Sequence, residues 1–200
     1  MIEARVGRLL GASLHQAIAD ELPQRLDFYE HWLKGQSLRD GSVGLAPLSA
    51  VLGFLRTEGE AYAAVTARAG RLSAEWTVTS MSPFERRVIQ SLPRALRTRA
   101  AMRVVNRLVR DIYSETRATS RVGRGSVTVE IARSVFCAVR EPQRQPLCGF
   151  YAAVVVETLT ALGVPASGHA ERCRAVEGAK CSMTIQLSGV ATGDRAAVAA

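Results

Sequence analysis

The chain has 200 residues, of which 48% are hydrophobic and 22% charged, and a net charge of +8. That length suits one domain of ordinary size with a substantial core, alone or with a helical extension. Its longest apolar run, Leu147 to Val156, is too short for a membrane span, which needs about twenty residues. Charges at Glu3, Arg5 and Arg8 with no sustained apolar stretch after them do not make a secretory leader, so a reducing, cytoplasmic compartment is expected.

The basic charge is concentrated. Lysine occurs only at Lys34 and Lys180, and between Ser82 and Arg124 eleven arginines face three carboxylates, Glu85, Asp111 and Glu115. That segment alone carries +8, and the remainder is neutral overall. Such a stretch meets nucleic acid, anionic lipid or an acidic partner, or is simply a solvated helix face.

Residues 3–20 read as a helix, with Val6, Leu9, Leu10, Leu14, Ala17 and Ile18 recurring at spacings of three and four. Pro23 breaks it and a second helix resumes from Arg25 to Lys34, where Phe28, Trp32 and His31 add bulk for a core or a dimer surface. Neither His15 nor His31 has a cysteine or second histidine at metal spacing nearby. A Gly/Ser-rich loop from Gly35 leads to Pro47, which suits the first position of the next helix. Glu58-Gly59-Glu60 interrupts that helix, with Gly59 as a bend or a close-contact point. Ala61 to Val78 is a further helix, rich in alanine, and its Trp76 is a pocket-lining candidate.

Ser82-Pro-Phe-Glu85 has the form of a helix start, with Ser82 as N-cap and Glu85 as capping-box partner. Pro93 stops that helix and starts another, Arg94 to Tyr113. This one carries Ala101, Val105, Leu108 and Ile112 on one face and Arg99, Arg103, Arg107 and Arg110 on another. Those four arginines are the candidate partner-binding residues.

The period then changes to two. Thr116 to Val122 and Ser126 to Ile131 read as strands about a Gly123-Arg-Gly125 turn, and Arg133 to Val139 as an extension of the sheet. A loop from Glu141 to Pro146 leads into the helix Cys148 to Leu162. Ser167 to Val176 and Cys181 to Leu187 read as a closing antiparallel pair, and the chain from Ser188 as a frayed tail. The strands join by short turns, so the expected fold is α+β, with a mostly antiparallel sheet and helices gathered on one side. A helical region over 1–113, a strand-helix-strand-strand unit over 114–188 and a tail over 189–200 would make one domain overall.

The cysteines carry the chemistry. Cys173 and Cys181 are eight apart about Glu177-Gly178, and an even separation in a hairpin puts both thiols on one side. Cys148 opens a helix, where the dipole favours a thiolate. Three thiols so placed can share one ion, and tetrahedral zinc needs a fourth ligand. Glu171, His169 and Cys137 are the candidates, the first two at even offsets from Cys173. The plain alternative is four buried cysteines acting as small hydrophobes.

The runs Pro146-Leu-Cys-Gly-Phe-Tyr-Ala-Ala-Val-Val-Val-Glu and Glu171-Arg-Cys173-Arg-Ala-Val-Glu-Gly-Ala-Lys-Cys181-Ser-Met-Thr-Ile resemble the 4-vinyl reductase-type, or hydrocarbon-binding, domain. That family is related in fold to TRAPP vesicle-tethering subunits and to the sensor domains of aromatic-responsive transcription activators. The resemblance covers roughly residues 114–188. It implies an α+β fold and a structural zinc beside a ligand pocket, with Cys148, Glu171, Cys173 and Cys181 as ligands. One residue, Arg172, separates Glu171 from Cys173 where the sensors have two, which keeps His169 and Cys137 in play.

Three functions follow as expectations. One is binding of an apolar small molecule in a pocket between sheet and helices, lined by Trp76, Phe136, Phe150 and Tyr151, as a sensor, carrier or scaffold. Another, implied by the resemblance, is tetrapyrrole binding in bacteriochlorophyll synthesis. There the protein binds or helps reduce a vinyl-bearing intermediate, although no hydride-donor site is visible and a role other than catalysis is preferred. The third is regulation through the arginine helix, without direct reading of DNA. A homodimer is expected. No dinucleotide fingerprint, Walker loop, nucleophile elbow or HExxH motif is present.

Overall fold

A computed structural model of the protein describes residues 6–33, 42–139, 142–177 and 180–188. The turn expected at Gly178, residues 3–5, most of the Gly/Ser loop and the tail from residue 189 lie outside the described residues.

The chain runs β1 (Val6–Gly7), α1 (Arg8–Glu21), α2 (Leu26–Leu33), β2 (Ser42–Val43), α3 (Leu45–Thr57), α4 (Glu60–Ser80), α5 (Pro83–Ser91) and α6 (Arg94–Ile112). It continues β3 (Arg117–Val122), β4 (Ser126–Ala132), α7 (Gly149–Ala161), β5 (Ala166–Ser167), β6 (Ala170–Arg172), α8 (Arg174–Glu177) and β7 (Cys181–Leu187). This is an α+β fold in which helices precede an open, five-stranded antiparallel sheet. The strand order is β3-β4-β7-β5, with β6 also pairing β7, while β1 and β2 form a separate two-stranded ribbon.

Several boundaries follow from local chemistry. Ser82 Oγ accepts the Glu85 N–H at 3.1 Å, capping α5. Pro93 separates α5 from α6. Gly59 takes φ +65° between α3 and α4, a left-handed turn that favours glycine, and no atom approaches where its Cβ would be. Gly59 is therefore a bend and not a close-contact point. The first helix starts at Arg8, because Val6 and Gly7 pair with Val43 and Ser42.

Strand β4 alternates. Val127, Val129 and Ile131 are buried while Thr128, Glu130 and Ala132 are exposed. Its partner β7 buries Cys181, Met183, Ile185 and Leu187, with Ile131 opposite Cys181. One sheet face thus meets the core and the other meets solvent. Helix α7 packs on the core face, α4 packs on α7, and α1 packs on α4. The α4–α7 crossing is close: a Cβ on Gly70 would lie 2.4 Å from the Phe150 carbonyl oxygen. One hydrophobic cluster runs from Val6 to Leu187.

Two expectations about the second half are corrected. The segment 133–139 does not extend the sheet. Arg133 adopts φ +54°, a left-handed conformation costing roughly 1–2 kcal/mol for a side-chain-bearing residue, and turns the chain off β4 into a 3-10 turn at Val135–Cys137. Nor are Cys173 and Cys181 paired strand residues about a tight turn. Cys173 follows the end of β6 and helix α8 intervenes.

Candidate metal centre and its adjoining cleft

Four separate segments deliver one cysteine each. Cys137 ends the 3-10 turn after β4, and Cys148 is the N-cap of α7. Cys173 lies between β6 and α8, and Cys181 begins β7. All four are buried, and their sulfurs lie within 4.8 Å of one another. Cys137 Sγ is 3.4 Å from both Cys173 Sγ and Cys181 Sγ. These separations exceed a disulfide bond of about 2.05 Å, and the cysteines are free. A tetrahedron of thiolates about zinc, with Zn–S near 2.3 Å, has S···S edges of about 3.8 Å. The four thiols are therefore placed to hold a metal ion.

Backbone donors point at this cluster. The Leu147 N–H donates to Cys173 Sγ at 3.3 Å, and the Arg174 N–H to Cys181 Sγ at 3.4 Å. Such bonds favour the anionic form of sulfur. With hydrogen bonds from Cys137 and Cys148 leading, the Cys173 thiol is held well below the usual thiol range, and Cys181 is lowered by the same two neighbours. Cys148 is pushed up, first by its hydrogen bond to Cys137 and then by those to Cys173 and Cys181. For Cys137, the bond with Cys148 acts downward, but bonds to Cys173 and Cys181 together with burial outweigh it.

Helices α3 and α4 brace the loops that carry two of the cysteines. The Tyr62 hydroxyl donates to the Leu147 carbonyl at 3.0 Å, and Arg56 Nη2 to the Phe136 carbonyl at 3.1 Å. Each accepting residue immediately precedes a clustered cysteine. Burial pushes the Tyr62 hydroxyl far above its ordinary range, keeping it a donor.

Of the sequence candidates, Cys148, Cys173 and Cys181 converge, and Cys137, the alternate, is the fourth member of the group. Glu171 is not in it. Its carboxylate is exposed and accepts the Thr184 hydroxyl at 3.0 Å. His169 is exposed as well. The even-offset reasoning fails for both because the pairing with β7 slips between Ala170 and Arg172, and a bulge breaks alternation.

Phe136, Phe150 and Tyr151 pack on one another, the first two stacked at 4.7 Å. All three are 0% exposed, so they touch no space wide enough for water and fill the core where a pocket was expected. Trp76 lies elsewhere, in a groove that also holds Arg103, Arg107 and Arg110; Arg99 is exposed on the same helix. The space beside the cysteines is instead an open cleft of about 560 Å³, which Cys137 lines. Leu45, Val135, Val139 and Val176 supply apolar wall, and Ser49, Glu115, Arg133 and Arg174 make the rest of the lining polar and charged. Ser134 is 7% exposed, and its hydroxyl is buried beside the Tyr151 phenol. Nothing in the sequence marks Ser134 or Tyr62 for these places, since both depend on contacts between distant segments.

The fold and site together define an α+β protein with a buried four-cysteine cluster placed to hold a metal. No protein-family model matches the chain, and no curated protein matches it.

Proposed function

We propose that this protein is a small-molecule-binding module pinned by a structural zinc ion, with Cys137, Cys148, Cys173 and Cys181 as ligands. The observation that carries this reading is the convergence of four buried thiols from four segments, two of them receiving backbone N–H groups. Four protein ligands close a tetrahedral site and leave no position for substrate, which is the pattern of structural zinc. An all-sulfur tetrahedral set also suits iron, which is coloured where zinc is not. The resemblance of residues 146–157 and 171–185 to the 4-vinyl reductase-type domain supports the same reading, with Cys137 in place of the glutamate.

The ligand in this reading is apolar and sits in the cleft lined by Cys137. At about 560 Å³ the cleft falls within the usual size range of small-molecule sites, with Glu115, Arg133 and Arg174 beside its apolar wall. A vinyl-bearing tetrapyrrole is one candidate, and the role is that of a sensor, carrier or scaffold. The aromatic surface of Phe28, Trp32 and Phe54, with rings 5.1 and 6.0 Å apart, suits a homodimer contact.

Elemental analysis of reduced, unchelated protein tests the centre. About one zinc per chain, lost in Cys137→Ser and kept in Glu171→Gln, is the expected result. Absence of metal, or its loss in Glu171→Gln alone, overturns the assignment. Retention of a porphyrin by the parent but not by a Val139→Trp variant would place the ligand in the cleft.

A further inference from the structure

The α5–α6 helical hairpin carries a surface that neither the metal centre nor its cleft uses. Helix α5 buries only Ile89, and on its outer side Phe84 is 78% and Val88 43% exposed. These two are four residues apart and share a helix face. On α6, Leu96 is 47% exposed. It is followed by Arg99, Arg103, Arg107 and Arg110 at steps of three and four, all exposed, so the five side chains form one stripe. Val88 and three of these arginines line the same groove, where the two stripes meet, and Arg99 borders a neighbouring recess.

The arginines of this segment fall into two groups. Arg97 donates to the carbonyls of Leu92 and Gly163, and Arg94 to that of Ser188, so these two hold the hairpin and chain together. Arg99, Arg103, Arg107 and Arg110 have no ion-pair or hydrogen-bond partner among the described residues. Two carboxylates, Glu85 and Asp111, also line the groove, but cations outnumber them there.

We propose that this hairpin docks the protein on an anionic bilayer surface. Unpaired arginines are drawn to the negative surface potential of such a membrane. A charged helix face beside exposed phenylalanine, valine and leucine is the composition of an interfacial site, whose apolar side chains enter the headgroup and acyl boundary. The apolar residues decide against nucleic acid, because a phosphate backbone takes up arginine but offers nothing to Phe84, Val88 or Leu96. The proposal does not depend on the metal or on the cleft.

Sedimentation of the full chain with vesicles tests it, comparing pure phosphatidylcholine with an equimolar phosphatidylcholine–phosphatidylglycerol mixture. Binding to the mixed vesicles alone, weakening as salt rises, is expected. Phe84→Ser should reduce partitioning about tenfold, and Arg103→Gln with Arg107→Gln roughly thirtyfold. All three side chains are exposed, so unchanged melting curves show that the variants fold. Equal or absent binding to the two vesicle types overturns the proposal. So does mixed-vesicle binding that is indifferent to Phe84, or binding of random duplex DNA that depends on the arginines while vesicles are ignored.

Discussion

Tyr62 and Leu147 show how one residue reaches the cysteine cluster through another. The phenol holds the Leu147 carbonyl while the Leu147 N–H holds Cys173 Sγ. Tyr62→Phe removes one hydrogen bond and leaves a buried carbonyl unpaired, a cost of about 1–3 kcal/mol. Outer partners of this kind typically alter metal affinity by roughly 10- to 100-fold, and competition titration with a chelating dye should find a loss in that range. An affinity equal to that of the parent would show that Leu147 is placed by the backbone alone. At this scale three of the clustered cysteines were legible in the sequence, and the fourth, Cys137, only as one alternate beside Glu171 and His169. Cys148 announces itself by opening a helix, while Cys173 and Cys181 do meet, but across a short helix and not across the tight hairpin that their spacing suggests. Cys137 reaches them through the left-handed turn at Arg133, a conformation that a period-two reading of 133–139 cannot register. Glu171 was drawn in by alternation that the bulge at Ala170–Arg172 cancels.

Between elements, the α4–α7 crossing sets how near the helical layer lies to the centre. Gly70→Ala forces a methyl group against the Phe150 carbonyl and the Ala153 side chain, and should destabilise the protein by about 1–3 kcal/mol. For a chain of this length that lowers Tm by roughly 2–4 °C per kcal/mol. Gly53→Ala makes the opposite prediction: no atom lies within 4 Å of the added Cβ in α3, so helix propensity alone should raise stability by up to about 1 kcal/mol. Differential scanning calorimetry of the two variants distinguishes a packing glycine from an idle one. The helices themselves were largely legible, because Pro23, Gly59, Ser82 and Pro93 punctuate clear apolar stripes. The pocket was not: aromatic residues close to the cysteines suggest a lining, but the tightness of this crossing, invisible to periodicity, leaves Phe136, Phe150 and Tyr151 no cavity to face.

For the molecule as a whole, the cluster ties the sheet to the start of α7 and to two irregular connections. Removing the metal from reduced protein should therefore lower the global melting temperature. A free ion at about a thousand times its Kd stabilises by about 4 kcal/mol, equivalent to roughly 10 °C here. Because protons compete for the thiolates, that increment should fade as the pH falls. Melting curves with and without chelator across a pH series would measure it, and curves that superimpose would mean that the thiols serve as packing alone. The α+β class was legible from the order of helical and alternating stretches. The sheet order was not, since it rests on β7 inserting beside β4.

Burial along α7 has a consequence for motion. Every residue of this helix except Thr160 is buried or half-buried, and it lies between α4 and the sheet. Its amides have no local route to solvent and should exchange hydrogen for deuterium only when the whole protein opens. Helix α5, which buries only Ile89 and adds one hydrogen bond from Gln90 to the Ala161 carbonyl, is lightly fastened and should exchange far sooner. The same chain would then keep two clocks, a slow one at the cysteine cluster and a fast one in the hairpin that faces outward.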